Sequence, residues 1–311
     1  MNVWIRRTVQ VGIVAAGLLV ASATGAAADG SLETSDNYGI ANGAQVVAPI
    51  QVPINVCGNA VGVLGDAEAG CKGGSEATIK SGGHDLELES EDNYGIANGI
   101  QAVIPVQVPV DVCGNAVAVA GDAEAGCKGG SEATLKRAAH GSPELELESE
   151  DNYGIANGIQ AVIPVQGPVD VCGNAVAVAG DAEAGCKGGS EATLKRAGHK
   201  SPELELETED NYGIANGIQG VIPVQVPVNV CGNAVGVLGD AEAGCKGGSE
   251  AHLHHGKAPE LELESEDNYG IANGIQVVAP IQVPVDVSGN AVAVAGDAEA
   301  ESKGGSEAHL G

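Results

Sequence analysis

Phenylalanine is absent from this chain of 311 residues, and methionine and tryptophan occur once each, as Met1 and Trp4. Five tyrosines are the only other aromatic residues. One core serving roughly 280 residues would draw on many more aromatic and large aliphatic side chains. The apolar content here is valine, alanine and isoleucine, which suits small tandem modules better than an enzyme-like core. Positive charge is scarce too, with 14 Lys and Arg against 42 Asp and Glu. That balance argues against nucleic acid and anionic lipid as partners, and it makes copies repel one another near neutral pH. Beyond the N-terminus, Pro and Gly break every apolar run, so no transmembrane segment is predicted.

The N-terminus reads "MNVWIRRTVQVGIVAAGLLVASATGAAADG". Arg6 and Arg7, the apolar stretch Val11 to Ala21 and the small residues Ala26 to Ala28 predict a secretory signal peptide over 1–28. Without it, 12 basic residues face 42 acidic ones, a net charge of −30. No hydrophobic tail or wall-sorting motif closes the chain, so the predicted location is extracellular, at the cell surface or wall without covalent attachment.

What is abundant is repetition. The tyrosine of "DNYGIANG" recurs at Tyr38, Tyr94, Tyr153, Tyr212 and Tyr269, in steps of 56, 59, 59 and 57 residues. Five modules follow, at 36–77, 92–133, 151–192, 210–251 and 267–308, joined by acidic linkers such as "PELELESED" (143–151, 259–267) and its variant "PELELETED" (202–210). Each of the first four carries two cysteines 14 positions apart: Cys57 and Cys71, Cys113 and Cys127, Cys172 and Cys186, Cys231 and Cys245. The fifth has Ser288 and Ser302 instead. Losing both together strands no thiol elsewhere only if the two pair with each other, which predicts four disulfides inside modules. Zinc binding is the weaker alternative, because the close C-x2-C pairs of zinc modules are missing and the chain is exported.

The predicted fold class is all-β, with small hairpin or three-stranded modules stapled by disulfides. "VQVPVDVC" (Val106 to Cys113) alternates like a half-buried strand, "AVAVA" (Ala116 to Ala120) returns, and "IQAVIP" adds a third. The hairpin turns fall on Gly58 and Asn59, Gly114 and Asn115, Gly173 and Asn174, Gly232 and Asn233, and Gly289 and Asn290. A module of this size is marginal alone, and a bridge closing its loop adds about 3 kcal/mol. The bridge-free fifth module is expected to be the least stable. "NAVAVAG" and "NAVGVLG" have the uncharged, proline-free alternation of cross-β zipper segments.

"VPVDVCGNAVAVAG", with a second cysteine about 14 residues on, resembles the chaplin domain of filamentous actinobacteria. The resemblance covers all five modules. It implies a small secreted hydrophobic domain with an intradomain disulfide, falling here on the same four cysteine pairs. It also implies assembly at air–water interfaces into amyloid-like films that coat aerial hyphae and spores. This chain departs from the family in having five domains, acidic joints, an acidic "GDAEAGCKGG" and Gly167 in place of a valine.

The expectation is a self-assembling structural coat protein, with other coat proteins or the cell-wall surface as further partners. The alternative is a soluble multivalent binder of wall glycan or calcium, whose ligands would come from the carboxylates of "SEDNYG" and "GDAEAG". His252, His254 and His255 cluster in "AHLHHGK" but read as solvated, and no metal site or cofactor is assigned. No nucleophile motif, phosphate loop or catalytic dyad recurs, so no enzymatic activity is predicted.

Overall fold

Near-identical repeats match one another residue for residue, so parallel in-register pairing sets every side chain beside its own equivalent. The computed structural model is built this way. It describes residues 17–19, 30–81, 86–138, 145–197, 204–254 and 261–310. In the second repeat the strands are β1 (Leu86–Glu91), β2 (Tyr94–Ile96), β3 (Gln101–Val103), β4 (Val106–Gln107), β5 (Val110–Cys113), β6 (Ala116–Val119), β7 (Ala123–Lys128) and β8 (Ser131–Ala138). The same eight strands recur in every repeat, and the labels are used for all five. Each strand pairs in parallel with its counterparts in the repeats before and after, Cys113 beside Cys172 and Ala116 beside Ala175. Eight sheets therefore run the length of the molecule, each repeat forming one rung of a β-solenoid.

The class is all-β with tandem, disulfide-stapled units, but the strands find partners between rungs rather than as hairpins within them. Gly114 and Asn115 form a corner between β5 and β6, with Gly114 at φ 56°. A ladder of asparagines holds that corner: Asn115 Nδ2 donates to Asn59 Oδ1 at 2.8 Å, and Asn174 repeats the bond to Asn115. Such a ladder exists only where identical residues stack. Another corner is tighter: a Cβ on Gly129 would lie 1.3 Å from the Gly73 carbonyl oxygen, so no other residue fits there.

The joints are not wholly linker. Leu86–Glu91 and its equivalents form a five-stranded sheet in which Leu88, Leu147 and Leu206 are fully buried. These leucines pack on Val103, Val162 and Val221 of β3. The leader expected over 1–28 lies outside the described residues, apart from Gly17–Leu19, which pairs with Gln45–Val47. The middle of each joint, as at 139–144, and His255 also lie outside them.

The sense of burial inverts the half-buried reading of "VQVPVDVC". Gln107, Asp111 and Cys113 point inward, while Val106, Val110 and Val112 are only half-buried on the outer side. In β6, Ala116 and Ala118 are fully buried while Val117 and Val119 are 40% and 43% exposed. Alanines from β6 and β7 form one continuous cluster along the axis. Two sheets so close together accept only small side chains between them, so the larger valines turn outward.

Candidate functional site

Translation along the solenoid axis turns every position into a row, and the rows are what this molecule offers to partners. The cystines form an inner row. Cys57–Cys71, Cys113–Cys127, Cys172–Cys186 and Cys231–Cys245 each bridge β5 to β7 at a Cα separation of 5.9 Å. In the fifth rung the hydroxyls of Ser288 and Ser302 take the same places, 2.8 Å apart.

Beside the cystines runs a polar row of Asn55, Asp111, Asp170, Asn229 and Asp286. Asn55 Nδ2 donates to Asp111 Oδ1 at 2.8 Å, and Asn229 Nδ2 to Asp286 Oδ1 at 2.7 Å. Between them, Asp111, Asp170 and Asn229 present acceptor to acceptor. Asp170 Oδ1 and Asn229 Oδ1 are buried with no hydrogen-bond partner. Burial, reinforced by the charge of Asp111, raises the Asp170 carboxyl to about 8. A proton held there supplies the missing donor. Burial raises Asp111 as well, against the hydrogen bond from Asn55.

Glutamines build two more inner rows. Gln166 Nε2 donates to Gln107 Oε1 at 3.0 Å and receives the amide of Gln225 at 2.9 Å. It also donates to the Ala133 and Thr193 carbonyls of β8. Gln160 similarly donates to Gln101. These rows, and the ladder that joins the asparagines of successive corners, escaped the sequence reading, which placed those asparagines only as turn residues; the only available signal was that polar residues recur at the same phase as the cysteines.

The outer rows divide the cross-section. The outer side of β5 and β6 carries the valine rows of Val110, Val112, Val117 and Val119. Tyr38, Tyr94, Tyr153 and Tyr212 stack with ring centroids 4.9 Å apart at β2. The outer side of β1 carries carboxylates at Glu87, Glu89 and Glu91 and their equivalents. Crowding is severe there. Hydrogen bonding to Glu91, followed by desolvation and neighbouring charge, raises Glu89 to about 7; burial and then Glu150 raise Glu148 to about 8. Glu150, Glu207 and Glu209 place oxygens within 4.8 Å of one another, while the aspartates of "GDAEAG" cap the corners, Asp122 N donating to Asp66 Oδ1. His252 stacks on His309 and contacts Glu250 at 2.9 Å. On β7, Glu124, Gly126 and Lys128 face outward and are also repeated as rows.

A regular all-β stack ruled by cystines and amide ladders, with an apolar and an acidic side, is a scaffold of repeated surfaces. The ChpA-C family model matches the chain five times, over 19–73, 78–129, 136–187, 198–247 and 257–305. The chain belongs to this family, the chaplins, and carries their domain in five tandem copies; it is a surface protein of that family. Chaplin-B of Streptomyces coelicolor is 30% identical over 145 residues, 40% of this chain and 60% of that protein. Chaplin-C of the same organism is 33% identical over 103 residues, 25% of this chain and 40% of its own length. Chaplin-E is 43% identical over 54 residues, 17% of this chain and 66% of its own. No solved structure matches the chain. Among the described residues, no helix is long and apolar enough to cross a membrane.

Proposed function

We propose that the chain is a secreted structural protein that assembles end to end by β-strand pairing into an amyloid-like, surface-active coat on hyphae or spores. The observation that carries this reading is the division of the rung. Valine rows cover one outer side and carboxylate rows another, so a sheet of solenoids presents an apolar face to air and an acidic face to water. The ends supply the growth sites: among the described residues, the first and last rungs stand at the edges of their sheets with one side of each strand open, except Gln45–Val47, which Gly17–Leu19 covers. Within the chain, rung already stacks on rung in register, and one copy can extend another by the same pairing. Removal of the leader would also free Gln45–Val47 from Gly17–Leu19.

Charge sets the conditions. Copies carrying a net −30 repel at neutral pH, and repulsion vanishes near the isoelectric point of about 4.3. Assembly is therefore expected to be faster at pH 4.5 than at pH 7.5. Surface pressure of the purified mature protein at an air–water interface is the test. A stable, wash-resistant film supports the reading, and no rise at either pH overturns it. Threonine in place of the Val117 and Val119 rows should lower the plateau without changing the far-UV spectrum.

A further inference from the structure

The outer side of β7 has a charge pattern that the coat reading does not use. Across it lie three rows: glutamates (Glu68, Glu124, Glu183, Glu242, Glu299), glycines (Gly70, Gly126, Gly185, Gly244) and lysines (Lys72, Lys128, Lys187, Lys246, Lys303). The glutamates and lysines are exposed. A groove of about 760 Å³ runs over the glycines beside the lysines. Packing does not demand these glycines. A Cβ on Gly70 would meet nothing within 4 Å, and one on Gly126, Gly185 or Gly244 would come no nearer than 3.8 Å to any neighbour. The fifth rung has a side chain there: Glu301 occupies the glycine position and sets its carboxylate 3.4 Å from Lys303 Nζ. Among the described residues, Lys303 is the only lysine of the row with an ion-pair partner.

We propose that this face is a lateral docking surface for a second copy of the chain. A two-fold axis parallel to the solenoid axis lays the Glu124 row of one copy over the Lys128 row of the other, and the reverse, with the two glycine floors apposed. A two-fold axis along the strands would instead set like charges against like. The pattern thus selects copies lying back to back and pointing the same way, in an isologous contact that leaves the valine rows of both copies on the outside of the pair. Both rows repeat at the strand spacing, so the charges stay in step along the whole contact. Glu301 shows how a carboxylate seated in the groove neutralises a lysine, and it closes the fifth rung to a partner.

Four rungs of this face, at about 4.8 Å each and five residues wide, cover on the order of 300 Å² per copy, against about 800 Å² for a stable interface. A single pair of copies is therefore weak. End-to-end stacking multiplies the contact, so the inference rests on the proposed assembly and adds the pairing of filaments.

The experiment measures mass per unit length of filaments grown at pH 4.5. Replacing the four lysines (K72Q, K128Q, K187Q and K246Q) should halve it while filaments still grow. Gly126→Leu with Gly185→Leu should do the same with an unchanged melting temperature. Exchanging the glutamate and lysine rows should restore pairing with itself. Mass per length that ignores both the lysine and the glycine changes overturns the proposal. If no filaments form, end-to-end assembly fails, and sedimentation of concentrated protein at low salt decides the lateral contact. Self-association lost in the lysine variant upholds it, and absence of association in the unaltered protein refutes it.

Discussion

Asp170 shows how much one position in a stacked row can decide. Its carboxyl is raised to about 8 in the folded chain, above the usual carboxylate value of the unfolded one. Between those values the folded state holds a proton that the unfolded state has lost. Stability therefore falls as pH rises from about 4 to about 8, by up to about 1.4 kcal/mol per unit, and levels off above. Asp170→Asn supplies a permanent donor toward Asn229 Oδ1. Its melting temperature should exceed that of the unaltered chain at pH 9, and the gap should narrow at pH 5. Gln166 is the neutral counterpart. Gln166→Leu takes the donor from the Ala133 and Thr193 carbonyls and the acceptor from Gln225, all buried. A loss of about 2–4 kcal/mol in denaturant unfolding is expected.

At the scale of elements, the cystine joining β5 to β7 distinguishes four rungs from the fifth. Ser288 and Ser302 keep a hydrogen bond where the others have a covalent link, and the fifth rung has a neighbour on one side only. Hydrogen exchange should be faster in 285–303 than in 169–187. Ser288→Cys with Ser302→Cys should slow it, because the hydroxyls already meet at 2.8 Å. Unchanged exchange in that double variant would mean that end fraying, not the missing bridge, sets the local stability. The β1 strands make a second point at this scale: alternating Leu and Glu reads as solvated linker until the leucines find the β3 valines.

For the whole molecule, stability is a sum over rungs and the interfaces between them. Deleting the third repeat, residues 145–203, joins rungs whose rows match, Cys113 falling beside Cys231. The shortened chain should still fold with three bridges, and solution scattering should find it shorter by about one strand spacing, ~4.8 Å. Independent hairpin beads would lose one bead and its linker, a much larger change in maximum dimension. The same regularity leaves strand edges at the two ends of the stack, where the proposed end-to-end assembly would add a further copy.

The sequence by itself determined the repeat, the all-β class, the cysteine pairing and the acidic character, because each depends on residue type and on spacing along one chain. Gly58 with Asn59, and the matching pairs in the other units, were legible as turns. What those turns join was decided only by the tertiary structure. A Gly-Asn pair permits a hairpin or a corner, and the choice falls to the corner when the next rung offers identical strands with asparagine, glutamine and cystine rows in step. The direction of the valines was settled the same way. Alternation places Val117 and Ala118 on opposite sides, and only the narrow gap between β6 and β7 puts alanine inside and valine out.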